Sequence, residues 1–155
     1  MKRINDPVYL SKQSLMEAKE HQVPGMLPEI KSMVTLCTHQ KLGVLAAPEA
    51  GVPFKFFVVQ NPDPRDPDFD VIFAPKVTPT IKEGRIVIHE ISVNGKTYEV
   101  SRWKEIRMTW MYHNGTAFER RSGLFQGEMA YIAQCANDRL NGVYVGADTT
   151  YPEVA

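Results

Sequence analysis

The chain has two stretches in which apolar residues recur every three or four positions, the spacing of an amphipathic helix. In the first stretch, Ile30, Met33 and Cys37 share one face, and Pro28 stands where it suits the first turn of a helix. We therefore predict an N-terminal helix over about residues 28–40, with this face in the core.

The second stretch lies near the C-terminus, and Asn141-Gly142 follows it as a stop signal. We predict a helix over about residues 124–140 that packs its apolar face on a sheet. The residues of that face are Phe125, Met129, Ile132, Ala133, Ala136 and Leu140.

The region between the two helices has the composition of β-strands. Apolar runs rich in Val, Ile and Phe at 54–60 and 70–75 predict two strands around a polar, Pro-rich loop. Asn94-Gly95 then predicts a hairpin, because both central residues of the favoured two-residue turn need positive φ. The whole pattern predicts an α+β fold.

A second hairpin is predicted at Asn114-Gly115 by the same rule. Apolar and polar residues alternate along its first strand, so we expect one buried and one wet face. The residues of the buried face are Ile106, Met108, Trp110 and Tyr112.

Composition and charge narrow the class of protein. With 155 residues, 43% hydrophobic and 23% charged, the chain fits one domain over 1–155 with a sizeable core. Its 18 basic and 18 acidic residues cancel, which gives no attraction to nucleic acid or to a membrane surface. Two distant cysteines and no apolar leader or span predict a reduced, cytoplasmic protein.

A series of short motifs resembles the peptide deformylase family in the same order along the chain. The segments are DPVYL near the start, LGVLAAPEAGV (42–52), FAPKV, EGR (83–85), the strand from VSRWKEIRM, and the helix GEMAYIAQCANDRLNGV from Gly127. The resemblance implies mixed and antiparallel strands around a central C-terminal helix. It also implies the family's activity, which is removal of the formyl group from an N-terminal methionine.

The family's chemistry depends on residues that this chain has exchanged. Family members hold a divalent metal with a motif cysteine and two motif histidines, and use the adjacent glutamate as general acid/base and a glutamine at the oxyanion. The corresponding residues here are Arg85 for the cysteine, Cys135 and Arg139 for the histidines, Ala136 for the glutamate and Glu49 for the glutamine. Since a guanidinium offers only donors, we predict no metal, no cofactor and no hydrolysis.

Charged side chains in the former pocket suggest what replaced the metal. We predict that Arg85 or Arg139 pairs with Glu49 or Asp138 and fills the space, because such pairs are bidentate and strong. The alternative is that both arginines face solvent and bind an anion or a peptide carboxylate. Other residues that match the family, among them Arg102 and Gln134, are expected to brace the scaffold.

Function is therefore predicted from the family's scaffold without its catalytic residues. We expect an inactive protein that serves as a binding or structural component of a larger protein assembly. Candidate surfaces are the hairpin tips at Asn94 and Asn114, the C-terminal tail 145–155, which could lie along a partner, and the former substrate groove. The groove residues are Gly43, Val44, Leu45, Glu49, Glu83, Gly84, Arg85 and Ile86.

Two alternatives belong to other classes of function. One is a strongly diverged deformylase whose metal ligands have moved, for example to Cys135, His89 and an acidic residue. The other is a binder of peptide N-termini that no longer cleaves them. A nucleophilic role for Cys135 is disfavoured, because the sequence places no base beside it.

Overall fold

The computed structural model describes residues 1–61, 68–80, 86–147 and 151–154. Within these ranges the predicted α+β class is confirmed. The helices are α1 (Pro7–Ser11), α2 (Val23–Gln40) and α3 (Gly127–Leu140). The strands are β1 (Val44–Ala46), β2 (Phe56–Gln60), β3 (Phe69–Pro79), β4 (Ile86–Val93), β5 (Lys96–Trp103), β6 (Glu105–His113) and β7 (Phe118–Gln126). No helix in the described ranges combines the length and the apolar character needed to cross a bilayer.

Five of the strands form an antiparallel sheet in the order β1-β2-β3-β6-β7, and β4 and β5 form a separate hairpin. Successive side chains of a strand point to opposite faces. On β2, Phe56 and Val58 therefore join a core with α2, whereas Phe57 and Val59 join a second core with α3. The sheet thus lies between the two long helices, and each face is covered by one of them.

Helix α2 begins at Val23, five residues before the predicted start, and contains Pro28 within its length. Proline in a helix interior removes a hydrogen bond. Here the extra turn also buries Val23 and Met26, which are 2% and 7% exposed, and this burial offsets the loss. The prediction that Pro28 opens the helix was wrong, because it ignored apolar residues on its N-terminal side.

Helix α3 begins at Gly127 and not at Leu124 as predicted. Leu124 and Phe125 belong to β7, whose pairing with β6 continues to Gln126 opposite Glu105. Phe125 nevertheless packs in the same core as the helix. Its spacing from Met129 therefore imitated a helical period although the two residues lie on different elements.

Both predicted hairpins are present, but their turns differ. At Asn94-Gly95 the φ values are 52° and 80°, as a two-residue turn of the predicted kind requires. Between β6 and β7 the loop has four residues, 114–117. Its Asn114 Oδ1 accepts from the amides of Thr116 and Ala117, each at 2.9 Å. The side chain of Asn114 therefore replaces the predicted two-residue turn.

The predicted buried face of β6 is confirmed for its first half. Ile106 and Met108 are 0% and 3% exposed, whereas Trp110 and Tyr112 are half-buried. Tyr112 lies outside the core that α3 covers. The guanidinium of Arg121 covers its ring instead, 3.7 Å from the centroid.

The C-terminal segment 151–154 lies along β5. The amide of Glu99 donates to Pro152 O at 3.0 Å, and the amide of Val154 donates to Thr97 O at 2.7 Å. Residues 151–154 therefore contact the protein's own hairpin, and a partner along the tail stays a prediction.

Two glycines provide a matched test of the Asn94-Gly95 turn. Gly95→Ala is expected to lower the free energy of unfolding by about 1 kcal/mol, because alanine is strained at positive φ. Gly25→Ala is the control, since Gly25 lies in the first turn of α2 and no atom is within 4 Å of an added Cβ. It should raise the free energy of unfolding by about 0.5 kcal/mol. Urea denaturation measures both, and equal losses would contradict the turn.

Candidate functional site

Glu49 is the centre of the candidate site. It lies in a short 3-10 turn, Ala47–Ala50, that follows β1 and ends at Gly51 with φ 79°. The turn directs the carboxylate inward, where it is 3% exposed and its Oε1 accepts from the amide of Ala46 at 3.3 Å. A carboxylate this deeply buried requires a counter-charge.

Two arginines provide that counter-charge. Arg139 Nη1 donates to Glu49 Oε1 at 3.2 Å, and Arg3 donates to Glu49 Oε2 from Nε at 3.1 Å and from Nη2 at 3.0 Å. A backbone bond from Ile4 N to Glu49 O at 2.7 Å holds the N-terminal segment in place. The pair of Arg139 with Glu49 was predicted, but Arg3 was missed. Arg85 lies outside the described residues.

Asp138 was predicted as a second counter-charge for Arg85 or Arg139, and among the described residues it pairs with Arg102. Its Oδ2 lies 3.0 Å from Nη2 of Arg102 and accepts from Tyr151 Oη at 2.6 Å. Arg102 is 6% exposed, and its Nη1 also donates to Tyr151 Oη at 3.0 Å. Neighbouring residues on a helix point about 100° apart, which separates Asp138 from Arg139. The pairing supports the predicted bracing role of Arg102.

Gln134 is a second brace. Its side-chain oxygen accepts from Trp103 N at 2.7 Å, and its Nε2 donates to Trp103 O at 2.8 Å and to Ala130 O at 3.0 Å. The amide thereby pairs with the end of β5 as a neighbouring strand would. It attaches the β4-β5 hairpin to α3 and so fixes one wall of the site.

The remaining exchanged positions are apolar or buried. Ala136 is 0% exposed in the core between α3 and the sheet. Cys135 is 8% exposed, and its thiol lies beside Tyr131 and Arg102. Burial first, and Cys135 second, raise the pKa of Tyr131 to about 12. The ring of His89 lies 4.2 Å from that of Tyr131.

The predicted groove residues differ in exposure. Gly43 is exposed and Val44 is half-buried, but the side chain of Leu45 is 0% exposed under α2. Only the backbone of Leu45 therefore remains for a ligand. Ile86 is 55% exposed at the start of β4. Glu83, Gly84 and Arg85 lie outside the described residues.

A cavity of about 310 Å³ lies beside these ion pairs. The charged residues and the thiol that line it are Arg3, Glu49, Arg102, Cys135, Asp138 and Arg139. Tyr144 also lines it, is 6% exposed, and has a hydroxyl without a hydrogen-bond partner in the described residues. Burial, and then the charge of Glu49, raise the pKa of Tyr144 above its ordinary value. The predicted ion pair is present, but the space beside it remains.

These side chains do not fit the divalent metal that the resemblance implies. Arg139 carries only donors and directs one of them to Glu49, and both oxygens of Glu49 already accept hydrogen bonds. Among the described residues, no group of three or more His, Cys, Asp or Glu is placed to hold a metal ion. This also applies to the alternative set that would include Cys135 and His89.

Comparison with known proteins identifies the fold. Three solved structures align over most of the chain. A ligand-bound class I type b peptide deformylase from Acinetobacter baumannii has TM-score 0.75 and 15% identity, with 92% of this chain and 95% of that chain covered. The enzyme from Thermotoga maritima has TM-score 0.73 and 20% identity, with 94% and 92% covered. The enzyme from Synechococcus elongatus, in complex with actinonin, has TM-score 0.71 and 19% identity, with 91% and 80% covered.

The sequence comparison covers almost the same length. The family model described as polypeptide deformylase matches residues 3–150, which include the candidate site and both long helices. The chain therefore belongs to the polypeptide deformylase family.

Proposed function

We propose that this family member is catalytically inactive and acts as a binding or structural component of a larger protein assembly. The observation that carries the first half is the cluster of Arg3, Glu49 and Arg139. Arg139 and Glu49 stand at positions where the resemblance expects a metal ligand and the oxyanion amide. The cluster engages both carboxylate oxygens of Glu49 and therefore offers a cation no free carboxylate.

The free energies that the family's catalytic groups contribute argue against deformylation by the same chemistry. A bound metal lowers the pKa of water from 15.7 to about 7, so its loss withholds at most about 12 kcal/mol of nucleophile activation. Losing an oxyanion donor removes roughly another 3–4 kcal/mol, because the carboxylate of Glu49 has no N–H to donate to the developing oxyanion. Ala136 has no group that could transfer a proton.

The surface of β4 supports the second half of the proposal. Ile86, Val87 and Ile88 are 55%, 40% and 64% exposed in consecutive positions. In the described residues β4 pairs with β5 on one edge. An exposed apolar strand next to the groove is the kind of surface that protein partners cover.

Metal analysis and a formate assay on the purified chain test the catalytic half. We expect metal well below one ion per chain and no formate release from a formyl-methionyl peptide above the blank, with an active family member as positive control. Stoichiometric iron, nickel or zinc together with formate release would contradict the proposal and establish the diverged deformylase.

Two further measurements test the binding half. Affinity purification at native abundance should yield a protein that co-purifies in fixed ratio with the chain. Titration with formylated and unformylated methionyl peptides tests the other alternative, a binder of peptide N-termini. Tight binding of either peptide without cleavage would replace the assembly role with peptide recognition.

A further inference from the structure

The cavity beside the ion cluster has a surplus of positive charge. Among the described residues that line it, three arginines face two carboxylates, Glu49 and Asp138. Each carboxylate is already paired, Glu49 with Arg3 and Arg139 and Asp138 with Arg102. Counted over the described lining residues, one positive charge therefore lacks a partner, which favours a ligand with a single negative charge.

Hydrogen-bond donors in the cavity are also unused. Arg139 donates one hydrogen bond, from Nη1 to Glu49, and makes no other within the described residues. Its side chain is 28% exposed. Tyr144, which is 6% exposed, has a hydroxyl with no partner in the same part of the chain. Nε of Arg102 is buried as well, and no described residue accepts a hydrogen bond from it. Buried donors without acceptors are rare, because each costs stability.

Arg139 and Tyr144 line the same cavity. The hydroxyl of Tyr144 interacts electrostatically with Glu49, Arg139 and Arg3, so it lies near the guanidinium that has donors to spare. A tyrosine hydroxyl is protonated at neutral pH and can donate, and the raised pKa of Tyr144 acts in the same direction. An acceptor with a negative charge would satisfy both groups at once.

Part of the remaining wall is apolar, and part is polar at Asn5, Ser92 and Asn94. Leu10, Ile91 and Val143 line the cavity together with the polar groups. A volume of about 310 Å³ is at the lower end of ligand pockets. The site therefore combines a few converging donors with space for a short hydrocarbon chain.

We propose that this cavity binds the carboxylate of a small organic acid, with the guanidinium of Arg139 and the hydroxyl of Tyr144 as donors. The proposal rests on the proposed function, because a metal at this site would take the place of the anion. A planar carboxylate matches the fork of an arginine. A phosphate dianion would exceed the single surplus charge and would stand against Glu49 and Asp138.

The carboxylate has two possible sources, a free short-chain acid and the C-terminus of a peptide. Isothermal titration calorimetry of the purified chain compares butyrate and hexanoate with their neutral amides, and a short peptide with its C-terminally amidated form. Inorganic phosphate is the third probe. We expect at least one carboxylate to bind about tenfold more tightly than its amide, and the better of the two series identifies the source.

Three variants assign the donors. Arg139→Gln should weaken carboxylate binding by about tenfold or more, and Tyr144→Phe by about three- to tenfold. Tyr144→Phe keeps the ring and removes an unpartnered hydroxyl, so its melting temperature should not fall. Arg121→Gln is the control, because Arg121 is half-exposed on β7 and lies outside the cavity. It should bind as the unaltered chain does.

The outcomes separate this proposal from the previous one. Equal binding of acid and amide, no binding of either, a preference for phosphate, or an unchanged affinity in Tyr144→Phe would each overturn the carboxylate site. If the purified chain also contains no metal, the proposed function is retained and only the carboxylate site is rejected. Stoichiometric metal in the purified chain would overturn both.

Discussion

Replacing Arg3 and Arg139 together by methionine should lower the free energy of unfolding by about 3–5 kcal/mol. The double replacement leaves the carboxylate of Glu49, 3% exposed, without a counter-charge, and a buried unpaired ion is far more costly than a missing contact. Urea denaturation followed by circular dichroism measures the loss.

The single variants and a rescue make this prediction specific. Each single replacement leaves one guanidinium on Glu49 and should cost about 1 kcal/mol, so the double loss should exceed the sum. Adding Glu49→Gln should recover most of the double loss, because glutamine removes the charge and keeps an acceptor for Ala46 N. Additive single effects, or no recovery, would show that the cluster does not hold Glu49 as described.

A surface pair provides the matched control. Glu119 and Arg121 lie 3.4 Å apart with both side chains 48% exposed. Exposed pairs contribute little, because water and salt screen them. Glu119→Gln should therefore leave the urea midpoint unchanged within error, in contrast to the cluster variants.

Replacing Gln134 by leucine should lower the free energy of unfolding by about 2–3 kcal/mol. The side chain is 7% exposed and bonds to both the amide and the carbonyl of Trp103. Leucine keeps the volume but leaves both backbone groups without their partner. Hydrogen exchange should accelerate along β5 before it accelerates in the five-stranded sheet, because Gln134 attaches the β4-β5 hairpin to α3.

Asn141 offers a matched comparison for this brace. Its Nδ2 donates to Asn137 O at 2.9 Å on an exposed surface just after α3. Asn141→Ala should cost less than about 0.5 kcal/mol, because water replaces an exposed bond. If Gln134→Leu lowered the free energy of unfolding as little as Asn141→Ala, Gln134 would not attach the hairpin. Hydrogen exchange that accelerates equally in all strands would mean the same.

Sequence reasoning located the elements better than their ends. The apolar face of α3 and the Asn94-Gly95 turn are set by neighbours within a few positions, so local spacing predicted them. The start of α2 depended on whether burial of Val23 and Met26 outweighs Pro28, and the start of α3 depended on how far β7 pairs with β6. Both outcomes depend on contacts with distant parts of the chain, so the residues next to the helix ends do not reveal them.

In the candidate site, too, local sequence predicted some features and tertiary contacts decided others. The residues at 85, 135, 136 and 139 can be read directly from the motifs. Two of them are arginines, and a guanidinium cannot ligate a metal whatever the direction of its side chain. Motif resemblance also marked Arg102 and Gln134 as bracing residues. It could not name their partners, Asp138, Tyr151 and Trp103, because it aligns positions and not side-chain directions.

By itself the sequence determined the family and the α+β class, and it carries the proposal that the usual ligands are lost, since these follow from residue identity and short-range spacing. Tertiary structure alone decided that Arg3 joins Arg139 on Glu49, across 46 and 90 positions of chain, and that the hydroxyl of Tyr144 lies buried at the cavity without a partner among the described residues. Contacts over such separations depend on how the layers pack, and no periodicity in the sequence encodes them.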